Sequence, residues 1–386
     1  MRKSKTVLGD ICKITMGQSP DSSTYNTTNI GLPFYQGNAD FGELYPKTRI
    51  WCSEPQKIAE PENILLSVRA PIGALNIAKE KCCIGRGLAA ITPHKNFCFN
   101  KYLFYILKYK YNELNARGTG STFKAINKSI LNNLPIDIYS IDRQKRIAAI
   151  LDKATELIAL RKQQLEKLDL LVKSKFIEMF GDPMINPFRL PIIKLSSALA
   201  VEPQNGLYKP LTDYVSDNSG TPILRIDSFY NGKLFNIENL KRLICTEQEK
   251  QKYLLNEDDI IINRVNSIEY LGKCGHVKNL IEDTVFESNM MRFHMDEEKF
   301  DAVYVTTLLS SRFIYRQILN RAKKAVNQAS INQEDVRSFE IYMPPLEKQK
   351  EFAAFVQKVD KSKSTLQQSL EKLELNYKAL MQTYFG

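Results

Sequence analysis

Histidine is scarce. The chain holds three in 386 residues, at positions 94, 276 and 294, and Cys274-Gly-His276 has no second ligand pair at the spacing zinc requires, so no metal centre is expected. Cysteine is sparse as well: seven residues, at 12, 52, 82, 83, 98, 245 and 274, an odd number with no Cys-x-x-Cys pair. With no signal peptide legible in MRKSKTVLGD, that usage predicts reduced thiols and a cytoplasmic setting rather than a disulfide framework. No apolar run approaches the ~20 residues needed to cross a bilayer, so no membrane partner is expected. Proline and glycine are missing from two long stretches, 142–180 and 346–385, which leaves both free to be helical throughout.

What the chain does have is positive charge. Lys plus Arg number 54 against 43 Asp plus Glu, a net +11, and such an excess points to a polyanionic partner such as nucleic acid. The basic residues are dispersed, without a Lys/Arg tail, which argues against a disordered basic arm. At 43% hydrophobic and 25% charged the composition suits folded domains, and the length predicts two or more of them.

The organising feature is a repeat. QQLEKLDL at 163–170 returns as QQSLEKLEL at 367–375. Sliding the chain by 205 residues lays Ile126-Asn127 on Ile331-Asn332, Gln144-Lys145 on Gln349-Lys350, Ala148-Ala149 on Ala353-Ala354 and Phe180-Gly181 on Phe385-Gly386, with 17 identities in 56 ungapped positions. That is a duplication. Each copy begins with a strand-like piece, LPIDIY at 134–139 and FEIYMP at 339–344, and runs on into a long helical pattern. Pro344-Pro345 suits a helix start, and Gly181 with Pro183 suits a helix stop.

Along both helices apolar residues recur in heptads. The stripe is Leu151, Ala154, Ile158, Leu165, Leu168 and Val172 in the first helix, and Val356, Val359, Leu366, Leu370, Leu373, Tyr377 and Leu380 in the second. Met179 and Tyr384 extend these stripes; Arg161 and Lys363 interrupt them. Such a run meets the coiled-coil criterion. The helices match in length and each occurs once, so pairing within the chain is expected in preference to self-association of two chains. Antiparallel pairing then holds a module at each end of a rod of about 55–60 Å, at 1.5 Å per residue, between one and two turns of duplex DNA at about 34–36 Å each.

The predicted organisation is a module at 1–140, a spacer helix at 141–183, a second module at 184–344 and a second spacer helix at 345–386. Both modules mix short β-like runs (LPFYQG, NILLSVRA and GLAAITP; TPILRID, DIIINRV and MMRFHM) with helical runs, KYLFYILKYK at 101–110 and DAVYVTTLLSSRFIYRQIL at 301–319. An α+β domain with a mainly antiparallel sheet is predicted for each. The modules share a plan but little wording. GLPFYQGNADFGEL parallels GTPILRIDSFYNGKL, and ENILLSVRAPIG parallels DDIIINRVNSIE, with Arg69 and Arg264 one register position apart. RGTGSTFKAIN parallels RAKKAVNQASIN, a basic polar loop before the duplicated part. A duplicated scaffold carrying diverged modules is what a reader of two different targets needs.

Several of these words, KITMGQSPDSSTYN (13–26), NILLSVRAPIGALNIA (63–78), CCIGRGLAAI (82–91), GSTFKAIN (120–127), DRQKRIAAIL (142–151) and PLEKQKEFAAF (345–355), resemble those of the specificity subunits of type I restriction–modification enzymes, and the resemblance covers essentially the whole chain. It implies two target-recognition domains joined by an intramolecular antiparallel coiled coil, a pseudo-twofold internal repeat. It implies that each domain reads one half of a split, asymmetric double-stranded DNA site while the helices set the spacer. Two adenine methyltransferase subunits are the implied partners, with restriction subunits as further ones. No cofactor is expected on this chain; S-adenosylmethionine, with ATP and Mg where a restriction subunit exists, is expected on partner subunits. The second domain departs from the pattern, having VEPQNGLYKP at 201–210 where the first has Gly-Gln-Ser-Pro.

No catalytic residue is assigned. An adenine methyltransferase needs an Asn-Pro-Pro-Tyr-like motif, and the nearest text, INPF at 185–188, has one proline and reads as a turn. Gly85-Arg86-Gly87 and Gly118-Thr119-Gly120 are not phosphate-cradling GxGxxG loops. Pro20-Asp21 has no nearby Glu-x-Lys of the nuclease kind; the one at 297–299 lies in the other module. An enzyme carrying all activities on one chain is disfavoured on these grounds. A basic coiled-coil adaptor, which would bind duplex DNA without sequence preference, is the other rival.

Phosphate contacts give affinity and register, while base-edge contacts give sequence. Arginine pairs with guanine, and Asn or Gln with adenine. In the first module the candidates are Gln18, Ser19, Lys47, Arg49, Arg69, Arg86, Ser121, Thr122 and Lys124; in the second they are Arg225, Asn263, Arg264, Asn266, Lys273, Lys323, Lys324, Asn327 and Gln328. Lys124 and the Lys323-Lys324 pair read as phosphate contacts. For each of them, ordinary surface or turn chemistry is the competing explanation.

Overall fold

Each copy of the duplicated text folds as one uninterrupted 40-residue helix, Ile141–Phe180 and Leu346–Phe385. The computed structural model of the chain describes residues 3–119, 124–230 and 232–386. Gly181, at a φ of 79°, ends the first helix, and a Cβ there would lie 2.5 Å from a ring carbon of Pro187. Only glycine satisfies both demands.

The chain divides into two compact units, 1–163 with 367–386, and 164–366. Neither long helix forms a body of its own: each unit takes part of both. In the first unit Ile147, Ala148 and Leu151 near the start of the first helix are buried with Met381 near the end of the second, beside Tyr377, Leu380, Tyr384 and Phe385. Lys162 and Glu374 form an ion pair of 3.0 Å there. In the second unit Phe176 and Phe180 at the end of the first helix pack on Phe352 and Val356 near the start of the second, with ring centroids 5.5 and 5.6 Å from Phe352. Lys363 meets Asp169. Within each unit the end of one helix meets the beginning of the other, so the pairing is antiparallel.

Of the heptad residues, Leu151, Val356, Val359 and Leu370 are buried. Ala154, Ile158, Leu165, Leu168, Val172, Leu366, Leu373, Tyr377 and Leu380 are half-buried. The heptad count omits Phe176, Phe180, Phe352 and Met381, which are buried too. Toward the helix ends the buried positions follow spacings of four, as an α-helix drifting off the seven-residue repeat requires.

The first unit opens with strand Ser4–Val7, antiparallel to Pro135–Ile138 directly before the long helix. Its main sheet orders Cys12–Met16, Leu88–Pro93, Ile64–Ser67 and Leu75–Ile77, all antiparallel. The central strands are apolar on both faces because both faces are covered. Ile64, Leu66, Ala89 and Ile91 face the cluster that includes Tyr102, Leu103 and Ile106 of helix Asn100–Tyr109. Leu65, Leu88 and Ala90 face a second cluster with Tyr35 and Ile84. That second layer is a five-stranded sheet, in which Leu32–Tyr35 runs parallel to Cys82–Ile84.

The second unit repeats the central order of these strands, in sheets of six and four strands where the first unit has four and five. Ile192–Lys194 pairs with Glu340–Tyr342. Leu199–Asn205, Met290–Met295, Ile260–Asn263 and Cys274–His276 are adjacent in one sheet, extended by Gly232–Leu234 and Phe229–Tyr230. Thr221–Leu224 runs parallel to Val285–Phe286 in the other. The same alternation holds: Ile260, Ile262, Met291 and Phe293 face one cluster, Ile261 and Met290 the other. Each unit is α+β with mainly antiparallel sheets, as the sequence predicts.

Candidate nucleic-acid interface

In the first unit the stretch after strand Cys12–Met16 passes so close to the end of strand Cys82–Ile84 that a Cβ on Gly17 would lie 2.2 Å from the Gly85 carbonyl oxygen. The Gln18 amide donates to the Ile84 carbonyl at 3.0 Å, and its side chain is exposed. The Ser19 hydroxyl accepts from the Arg86 amide at 3.3 Å. Asp21 caps the turn Ser22–Thr24, accepting from the Ser23 amide at 2.9 Å and hydroxyl at 2.7 Å. Those bonds hold its carboxyl below the usual carboxylate value.

This loop leads to an open cleft of about 550 Å³ lined by Gln36–Asp40, Arg49, Ile50, Ser67, Arg69–Pro71, Arg86 and Gly87. Three of the sequence candidates, Arg49, Arg69 and Arg86, thus come together. Arg49 is paired with Asp40. Arg69 is exposed and bridges Ala125 through its backbone, and Arg86 is exposed. Lys47 and Lys124 are exposed, and the Lys47 amide donates to the Asp40 carbonyl at 2.8 Å. Ser121 and Thr122 lie outside the described residues.

The second unit arranges the equivalent elements differently. The Ile126 amide bonds to the Val68 carbonyl, and 205 residues on the Ile331 amide bonds to the Arg264 carbonyl. Arg264 therefore stands where the first unit has buried Val68, and Val265, paired with Ser330, stands where it has Arg69. One register step turns the side chain: Arg264 is half-buried and donates to the Ser288 carbonyl at 2.9 Å. Asn263 corrects the sequence reading. It is 1% exposed, ends the buried strand Ile260–Asn263 and reaches the Tyr270 carbonyl at 3.4 Å, so it is a core residue and not a surface reader. Asn266 is half-buried and accepts from the Ser267 amide at 2.8 Å.

Arg225 is half-buried, lies 3.3 Å from Glu287 and stacks over Tyr214. Glu287 also accepts from the Ile226 amide at 2.8 Å. The Lys273 ammonium sits 3.7 Å from the Tyr270 ring centroid and 4.1 Å from that of Tyr230, a cation held between two aromatic faces. Lys323 and Lys324 pair with Ser330 and Ala329 in a hairpin that joins Val265–Asn266 as a three-stranded sheet. Lys323, Lys324, Asn327 and Gln328 are all exposed there. At the turn Val326 is 99% exposed.

The apparent lack of a Gly-Gln-Ser-Pro counterpart is also corrected. Gly206 approaches the Glu287 carbonyl oxygen as Gly17 does that of Gly85, a Cβ there lying 2.3 Å away. Leu211–Asp213 forms the matching turn, and Tyr214 pairs with Leu243 as Tyr25 pairs with Cys52. The loop is kept and its wording changed, with Tyr208 and Leu211 exposed in it.

At the opposite end of strand Ile260–Asn263, Asp259, 1% exposed, accepts from Arg292 at 3.1 Å and from the Asn256 amide at 2.8 Å, and lies 3.0 Å from His294 Nδ1. Burial works against a charged His294, but its bonds to Asp259 and Glu297 outweigh that and raise its pKa above the ordinary 6.5. Among the described residues no group of three or more His, Cys, Asp or Glu is placed to hold a metal ion, and no helix is long and apolar enough to cross a membrane.

A family model described as the type I restriction modification DNA specificity domain matches residues 3–170 and 204–375. A Methanocaldococcus jannaschii chain named as a type I restriction enzyme MjaX specificity subunit is 43% identical over 157 residues, 41% of this chain and 37% of that one. The Escherichia coli K12 type I restriction enzyme EcoKI specificity subunit is 23% identical over 348 residues, 84% of this chain and 73% of that one. Among solved structures, the S subunit of a type I restriction–modification system from M. genitalium superposes with a TM-score of 0.63 at 13% identity, covering 100% of this chain and 96% of that one. That likeness is one of fold.

Proposed function

The chain belongs to the type I restriction–modification DNA specificity family, and on that premise we propose that it is the sequence-reading subunit of an adenine methyltransferase complex. Each unit reads one half of a two-part, non-palindromic duplex site, and the two shared helices set the gap. Two methyltransferase subunits carry the catalysis and bind S-adenosylmethionine; restriction subunits, where they join, bring the need for ATP and Mg²⁺. One observation carries the reading: the central strand order of the first unit recurs in the second while the residues set on it differ, exposed Arg69 against half-buried Val265 and Gln18-Ser19 against Leu207-Tyr208, of which Gln18 and Tyr208 are exposed. A scaffold kept and a surface changed is what unlike half-sites demand. The net charge of +11 suits a duplex partner.

Co-expression with its methyltransferase subunit, followed by genome-wide mapping of methylated adenines, tests this. The expected result is one two-part motif with unlike halves. Methylation without such a motif, or motif choice unaffected by exchanging this chain for another specificity subunit, would overturn it.

A further inference from the structure

We propose that the cleft of the first unit is a clamp for one backbone phosphate of the duplex, gripped by Arg69 and Arg86, and that the second unit has its equivalent clamp shut. The inference rests on the DNA-reading proposal above and separates grip from readout within it.

The cations are available. Arg49 is paired with Asp40, whereas Arg69 and Arg86 are exposed and have no ion-pair partner among the described residues. Their backbones are fixed, Arg69 by its bridge to Ala125 and Arg86 by the Ser19 hydroxyl. The wall between them is bare: a Cβ on Gly87 would lie 2.4 Å from the Gln36 carbonyl oxygen. Shape then decides what enters. A concave site of about 550 Å³ receives a ridge, and the ridge of a duplex is its sugar–phosphate backbone; base edges lie in grooves and are read by elements that project.

The second unit lacks this device. Register places Ser288 two residues past Phe286, where the first unit has Arg86 two residues past Ile84, and Val265 where it has Arg69. Its own arginines there are occupied, Arg225 by Glu287 and Arg264 by the Ser288 carbonyl. What projects from this unit is the hairpin ending in Val326.

The test uses the complex with methyltransferase subunits and a duplex carrying its mapped site. R69Q/R86Q is expected to lower affinity on the order of 10-fold or more, and to reduce the slope of log affinity against log salt by about 1, as the loss of one phosphate contact requires. The methylated motif should stay unchanged. Neutral methylphosphonates scanned along the first half-site should reveal one position that weakens the parent complex and not the variant. E287Q, which removes the negative charge facing Arg225, should steepen the salt slope. Unaltered affinity and slope, or an altered base in the first half of the motif, would overturn the clamp. If R69Q/R86Q fails to fold, as judged by thermal unfolding, the scan on the parent complex decides: no phosphate standing out in the first half-site would overturn it equally. A parent complex with no two-part motif would instead defeat the underlying proposal.

Discussion

Gln144 and Gln349, 205 residues apart, are both wholly buried and make the same three hydrogen bonds. The Gln144 side-chain amide donates to the carbonyls of Phe97 (2.9 Å) and Tyr139 (2.8 Å), and its oxygen accepts from the Phe99 amide at 2.7 Å. Gln349 donates to Lys299 (3.0 Å) and Pro344 (2.9 Å) and accepts from the Asp301 amide at 3.0 Å. Each clamps the first turn of a long helix to the segment that leads into a domain helix. No Asp or Glu could replace it, because two carbonyls require a donor.

Q144A and Q349A are each expected to destabilise the protein by about 3 kcal/mol, since three backbone groups lose their partner in a dry site. Chemical denaturation checks the size. Hydrogen exchange should place the Q144A loss at the amide of Phe99 and that of Q349A at Asp301. A cost no greater than that of an exposed Gln→Ala change would refute the clamp.

The aromatic cluster of Phe176, Phe180, Tyr304 and Phe352 should dominate the attachment of the long helices in the second unit. F352A is expected to cost about 3–5 kcal/mol, the usual penalty for emptying a buried aromatic site. L168A, on the half-buried seam, should cost clearly less. Equal midpoint shifts in denaturant would contradict this ranking.

His294 makes stability depend on pH. Its folded pKa lies above the ordinary value because its partners Asp259 and Glu297 outweigh its burial, so the folded state binds the proton more tightly than the unfolded chain does. That contribution is fully present below about pH 6.5 and is lost as pH rises through the folded value. Thermal midpoints of the parent and of H294N, measured from pH 5.5 to 8.5, should differ most at the acid end and converge toward the alkaline end. A gap that widens with pH would refute the assignment.

The long helices were legible because their period is long: five heptads without proline or glycine leave little choice of structure, whereas the exit of Phe176 and Met381 from the stripe depends on helix drift that a strict seven-residue count cannot follow. The site was less legible. Asn263 reads as a surface amide yet ends a strand whose neighbours are buried, and alternation in a two-sided strand gives no warning of which polar residue turns inward. Arg264 and Arg69 look interchangeable in text, but one step of register sends them to different faces. The counterpart of the Gly17 loop was hidden because only a glycine and a tyrosine, Gly17 with Tyr25 and Gly206 with Tyr214, survive in both copies. Val326 carries no polar group that would mark it for the surface, and only the hairpin pairing reveals that it tops a turn.

That hairpin allows affinity and readout to be separated experimentally. Lys323 and Lys324 lie on its outer strand, and Val326, Asn327 and Gln328 form its projecting end. Lysines that meet phosphates add affinity without sequence, so K323A/K324A should weaken binding to all sequences alike and reduce the salt slope by about 1 to 2. On the DNA-reading proposal, a side chain at the projecting end is expected to play another role: the methyl groups of valine match the thymine methyl in the major groove, and a hydroxyl does not. V326S is therefore expected to leave the salt slope unchanged and to relax base choice at one position of one half-site, the half read by the second unit. Mapping of methylated adenines with each variant distinguishes the two effects, and an altered motif from K323A/K324A together with an unaltered one from V326S would reverse the roles assigned to them.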